Sequence, residues 1–222
     1  MSNEAESTFS MKDLMLSVGE IGGILLAGMV MGAIGMLRKK KWNLFKRQKT
    51  ERRFVESHGQ IHEMLTELRV TVRACRCLIF QFHNGGSFAD GTSIKRFSVT
   101  HESCGSTVPS MILESQDILV TRYMELIRMM DVTPGKIIRT DTLPPCAFRS
   151  GLEINNADYF SVVPLRCIDG ITPLGFLCCH WCSPEPLDEI EREGIKQEDL
   201  EDLIMQNSST INTYISYKQR KQ

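Results

Sequence analysis

Two apolar runs late in the chain decide its fold: YFSVVPLR, from Tyr159 to Arg166, and LGFLCCHW, from Leu174 to Trp181. Both are rich in β-branched and aromatic residues, which suit a pleated, largely buried surface. Between them lies Cys167-Ile-Asp-Gly170, whose Asp-Gly step marks a turn. The pair reads as a β-hairpin. Upstream, Cys77 to His83 (CLIFQFH) has a strand pattern that Asn84-Gly85-Gly86 should end as a turn. Phe97 to Glu102 (FSVTHE) is a second strand candidate, and Lys136 to Thr140 (KIIRT) a short one broken by Pro144-Pro145. Ser115 to Met130 is expected as a helix, with Asp117 early and Arg128 late. Gln197 to Tyr217 closes the chain as an amphipathic helix through Leu200, Leu203, Ile204, Ile211 and Ile215.

Ahead of the first strand, Phe54, His58, Ile61, Leu65, Leu68, Val72 and Cys75 recur at spacings of four and three. That is a helical seam, and two readings of it stand open. Three heptads suffice for a short parallel coiled coil. A helix laid on its own domain's sheet has much the same period.

The order helix, strand, turn, strand, helix, strand, hairpin, helix resembles a GAF domain over roughly residues 52–217. Its most specific piece is Ser161-Val-Val-Pro-Leu-Arg-Cys-Ile-Asp-Gly170 followed by Leu174-Gly175-Phe-Leu-Cys178, similar to that family's late hairpin. Arg76-Cys-Leu-Ile-Phe-Gln-Phe-His-Asn-Gly85 is similar to its first strand. The resemblance implies an α+β, GAF/PAS-like fold. A central antiparallel sheet would carry the terminal helices on one face and a ligand pocket or partner surface on the other. GAF domains bind cyclic nucleotides, tetrapyrroles and small metabolites, and the resemblance names no cofactor for this chain.

By the two-residue pleat, Leu78, Phe80 and Phe82 share one face of the first strand, and Cys77, Ile79, Gln81 and His83 the other. The all-apolar face suits the terminal helices, so the mixed face is expected to look into the pocket. Gln81, His83, Asn84, His101 and His180 are the candidate ligand contacts. For His83 and Asn84 a plain turn-capping role stands beside that reading.

The N-terminal quarter is organised differently. Leu14 to Leu37 is a run of 24 residues with one charge, Glu20. About 20 apolar residues cross a bilayer core as a helix. The segment before it is acidic, and Arg38, Lys39, Lys40 and Lys41 follow at once, the reverse of a cleavable signal peptide. Between Arg38 and Arg53 stand nine basic residues and one acidic one, which places the N-terminus outside and the remainder in the cytoplasm. The divisions are an acidic tail (1–13), a transmembrane helix (14–37), a basic juxtamembrane stretch (38–53) and a domain (54–222). Arg38, Lys39, Lys40, Lys41, Trp42, Lys46 and Arg47 are expected at the surface of anionic lipid headgroups. Gly19, Gly23 and Ala27, and likewise Gly28 and Gly32, repeat every four residues, as in membrane helices that pack closely. With the seam through Phe54, Ile61, Leu65, Leu68 and Val72, this predicts a homo-oligomer.

Net charge is −1, so no global field points to nucleic acid. Eight cysteines are scattered without a disulfide-framework spacing, and in a cytoplasmic domain they are expected to be reduced. Cys178, His180 and Cys182 share a strand face, but residues two apart on a strand lie too far from one another for three to converge on one zinc ion. No metal site and no catalytic residue are expected, since G-x-S-x-G, Walker and H-E-x-x-H motifs are absent. The leading expectation is a membrane-anchored sensory or docking module for a small ligand or protein partner. One alternative is a membrane-permeabilising protein, because a span plus a compact domain looks like the large holins of T-even-type phages. The basic cluster departs from that family, whose globular domain faces the periplasm. A third is a GAF-type redox enzyme that reduces methionine sulfoxide.

Overall fold

The computed structural model describes residues 35–36, 38–39, 55–87, 91, 93–167, 170 and 172–219. The acidic tail, nearly all of the expected span and most of the basic stretch lie outside the described residues. So do Gly19, Gly23, Ala27, Gly28, Gly32, Lys40, Lys41, Trp42, Lys46, Arg47 and Phe54. Arg38 and Lys39 are helical and exposed. No helix among the described residues is long and apolar enough to cross a membrane.

Contacts divide the chain into Met1–Val55 and Glu56–Gln222, and the second unit carries the fold. A helix α1 over residues 55–71 leads into strand β1 (Arg76–Ser87). Then come β2 (Ser93–Cys104), β3 (Ile118–Leu119), a 3-10 turn (Val120–Tyr123), α2 (Met124–Val132), β4 (Ile138–Arg139) and α3 (Ala147–Ile154). The chain closes through β5 (Tyr159–Arg166), β6 (Pro173–Trp181), α4 (Glu185–Arg192) and α5 (Gln197–Gln219). One six-stranded sheet has the order β3-β2-β1-β6-β5-β4, and every neighbouring pair is antiparallel.

The hairpin, the first strand and the closing helix lie where the sequence placed them. Three expectations need correction. The chain does not turn at Asn84: β1 continues to Ser87, Asn84 pairs with Lys95, and the irregularity between Asn84 and Ser87 absorbs Gly86 at φ 108°. The helix expected from Ser115 starts only at Met124. Asp117 takes φ 56°, breaking any helical run there, and Ile118–Leu119 pairs with Phe97 and Arg96 instead. The faces of β1 are also the reverse of those expected. Cys77 and Ile79 pack with the terminal helices, while Leu78 and Phe80 face the opposite layer. Both faces of a central strand are covered, so polarity within it cannot identify the pocket side.

The helical seam settles on its own sheet. Ile61, Leu65, Leu68 and Val72 are all buried, packed with Ile204, Ile211 and Ile215 of α5 against Ile79, Leu177 and Trp181. Those four cannot serve a coiled-coil interface, which corrects the self-association reading for them. The Trp181 indole donates to the Val72 carbonyl at 3.0 Å, and the Cys75 amide to the His180 carbonyl at 2.9 Å. Cys75 and Cys182 form a disulfide with Cα atoms 6.1 Å apart, joining the start of β1 to the end of β6. Positions 107 residues apart in sequence gave no spacing signal for that pairing, against the expectation of reduced cysteines.

β6 fits against β1 because Gly175 has no side chain. A Cβ there would overlap the Phe80 carbonyl oxygen and stand 2.9 Å from Gln81 Cα. Backbone atoms cannot swing aside as a flexible side chain can. Gly175→Ala should therefore lower stability by more than about 3 kcal/mol, the upper end of ordinary overpacking, measured by denaturant unfolding.

Candidate functional site

With β6 seated on β1, Phe80 and Phe176 face each other across the ladder and their rings stack at 4.5 Å. Phe97 of β2 meets both edge-on, at 5.6 and 5.3 Å. Tyr123, at the end of the 3-10 turn, stands edge-on to Phe97 at 5.5 Å, and Phe148 of α3 lies beyond it. These are favoured aromatic geometries. They wall a cleft of about 180 Å³ between the sheet and α2–α3, closed further by Met111, Leu126 and Leu152. Glu114 and Asn155 also line it, and Gly151 keeps one wall low.

The deepest polar group is His180, two residues beyond Cys178 on the same face of β6. It is 3% exposed. Its Nε2 lies 3.1 Å from Cys178 Sγ, while its Nδ1 is buried with no hydrogen-bond partner. Burial, helped by the nearby Arg76 guanidinium, lowers its pKa from 6.5 to about 3, so the imidazole is neutral.

Arg76 pairs with His180 across the β1–β6 ladder and is itself fully buried. It donates from Nη2 to the Pro109 carbonyl at 2.8 Å and from Nη1 to Met111 Sδ at 2.9 Å. Its Nε stands 3.5 Å from Glu102 Oε1 without a hydrogen bond. Burial lowers the Arg76 pKa, and the Glu102 charge opposes that shift. Glu102 in turn accepts from the Met111 amide at 2.8 Å and from the Ser110 hydroxyl. The ion pair thus pins the segment carrying Met111 over one end of the cleft. Each partner leaves the other's charge compensated inside a neutral layer.

The cysteines here are poor nucleophiles. Burial pushes the Cys178 and Cys77 thiols well above their ordinary value, and Cys77 Sγ donates to Cys179 Sγ at 3.3 Å. A buried thiol held protonated is inert. No group of three His, Cys, Asp or Glu among the described residues is placed to hold a metal ion.

Of the five candidate contacts, His180 lines the cleft. Gln81 faces away from it on β1. His83 bonds Ser98 Oγ at 2.9 Å near Asp117, and Asn84 accepts from Lys95 at 2.8 Å at the exposed end of the sheet. His101 lies on the α1 face, stacked on His58 at 4.7 Å. Those four are placed by the reversed faces of β1 and by the register of β2. Arg76, Tyr123 and Phe148 were missed. Arg76 did carry a signal, a charge opening an otherwise apolar strand, whereas Tyr123 and Phe148 reach the cleft only through tertiary packing.

No protein-family model matches the sequence, and no curated protein sequence matches it. Solved structures do. The cyanobacteriochrome receptor PixJ aligns at TM-score 0.51 and 15% identity over 73% of this chain and 97% of its own. A far-red cyanobacteriochrome photoreceptor aligns at TM-score 0.50 and 15% identity over 78% and 97%. A phycoerythrobilin-bound GAF domain from a cyanobacterial phytochrome follows at 0.44 and 18%, over 74% and 94%. The domain is an α+β module with a GAF-like fold.

A neutral His180 has a consequence for stability. Unfolded, its imidazole titrates near 6.5; folded, near 3. The unfolded chain binds the extra proton between those values, so stability present above 6.5 is lost as pH falls toward 3. The loss should reach about 1.4 kcal/mol per pH unit. Unfolding titrations of His180→Phe beside the parent should show that component of the slope removed.

Proposed function

We propose that this chain is a membrane-tethered, non-catalytic sensory module whose GAF-like domain binds a small ligand in the cleft under α2 and α3. The observation that carries the reading is the buried, unpartnered His180 Nδ1 at the floor of an aromatic-walled cleft. Buried polar atoms are almost always paired, and an orphan calls for a partner. A cleft of this composition with few polar groups suits a small molecule.

A dry cavity of ~150 Å³ takes one benzene. At about 180 Å³ this cleft has room for one ring. The redox alternative loses support because Cys77 and Cys178 are held as buried neutral thiols. The permeabilising alternative has no counterpart among the photoreceptors above.

The tether rests on Leu14 to Leu37 and its basic flank, with the domain in the cytoplasm and residues 38–53 at anionic headgroups. α1 covers the reverse face of the two strands that floor the cleft. Occupancy of the cleft can therefore act through one sheet on the helix that leads back toward the membrane segment.

Two measurements test this. The full chain in lipid nanodiscs should be thermally stabilised by at least one member of a panel of single-ring metabolites, charged and neutral. Saturation at 100 times Kd contributes about 2.7 kcal/mol. Gly151→Leu, which fills the cleft from a position 3.4 Å from the Tyr123 hydroxyl, should abolish the response. A panel without effect overturns the ligand-binding reading. Separately, the domain should resist protease added to intact cells and be cut once the cells are permeabilised. Cleavage by external protease in intact cells, where the Cys75–Cys182 disulfide would persist, overturns the cytoplasmic placement.

A further inference from the structure

We infer that the cleft selects a neutral, single-ring aromatic molecule carrying one hydroxyl, a phenol-class ligand whose hydroxyl meets His180 Nδ1. The inference rests on the ligand-binding reading above and adds the chemistry of the ligand.

Size sets the ring count, as the comparison with benzene showed. Wall chemistry sets its character. Phe80 and Phe176 stack on each other, Phe97 stands edge-on to both and Tyr123 edge-on to Phe97, and a flat ring extends that pattern at no cost in polar pairing. Charge is excluded by the layer around it. The Arg76 guanidinium is committed to Glu102, Pro109 and Met111. Cys178 is a protonated thiol and His180 a neutral imidazole, and the one carboxylate lining the cleft, Glu114, is exposed at its mouth, so a carboxylate or ammonium at the floor would be desolvated with no counter-charge beside it.

The hydroxyl follows from the imidazole. A neutral histidine has one donor nitrogen and one acceptor nitrogen. The Cys178 thiol, itself a weak donor and a weak acceptor, accommodates either arrangement at Nε2. Nδ1 is accordingly an N–H in one tautomer and a lone pair in the other. A hydroxyl satisfies both, because it donates and accepts. A carbonyl serves only the first tautomer, and a hydrocarbon serves neither and leaves Nδ1 orphaned.

The test uses the full chain in nanodiscs with 15N-labelled histidine and four probes. Phenol and toluene match in size and differ in the hydroxyl; benzoate and benzamide match in size and differ in charge. Phenol should move the His180 nitrogen resonances and bind about tenfold tighter than toluene, the value of one net hydrogen bond. His180→Phe should bring the two within about twofold of each other by the same reasoning. The phenol-to-toluene ratio of the parent stands on its own should that variant fold poorly. Equal binding of phenol and toluene, or benzoate binding tighter than benzamide, overturns the phenol-class inference while the ligand site survives. If neither these probes nor the metabolite panel bind, the inference falls together with the reading beneath it.

Discussion

The close approach of β6 to β1 at Gly175 governs the rest of the domain. With no Cβ there, the two strands run in register from Arg76 opposite His180 to Gln81 opposite Gly175. That register stacks Phe80 on Phe176 and sets the Arg76 guanidinium beside the His180 imidazole. It also brings Cys75 to Cys182, where a disulfide closes the same end of the pair. On one face the paired strands receive α1 and α5 through Leu65, Leu68, Ile204 and Ile211. The opposite face meets α2 and α3 less completely, and the cleft is what remains between them.

The electrostatics of that face come from one compensated pair. Arg76 and Glu102 are both buried, and their attraction, with the hydrogen bonds to Pro109, Met111 and Ser110, offsets the cost of taking two charges out of water. Their mutual neutralisation leaves no net charge at the His180 end of the cleft, while Glu114 lines its exposed side. Arg76 still disfavours protonation of His180, and burial disfavours it more. Two thiols on neighbouring strands stay protonated for the same reason. The result is a largely apolar cleft in which the buried His180 Nδ1 has no partner, suited to recognition and unsuited to nucleophilic chemistry.

Much of this was legible in the residues. The hairpin of Tyr159–Arg166 and the run to Trp181 declared itself through β-branched and aromatic composition with an Asp-Gly step between. α5 declared itself through Leu200, Ile204, Ile211 and Ile215. The side of β1 that faces the cleft was not legible, because burial on both faces removes the polar alternation that would have marked it. His180 was legible as a candidate contact, while its spacing from Cys178 and Cys182 along one strand argued against a metal. Tyr123 ends a short 3-10 turn that follows left-handed Asp117 and the pairing of Ile118–Leu119 with β2, and Phe148 sits on the eight-residue α3; both reach the cleft only in the assembled domain. The Cys75–Cys182 pairing is of the same kind, since the start of β1 and the end of β6 meet only in the folded domain.

Xenon binding to crystals of the protein tests the central claim most directly, because xenon enters preformed apolar cavities and reports them by position. The account predicts a xenon atom between Phe80, Phe176 and Tyr123, within contact of the His180 ring, and its disappearance in Gly151→Leu. A parent crystal with that space filled by repacked side chains and no xenon there would contradict the existence of the site.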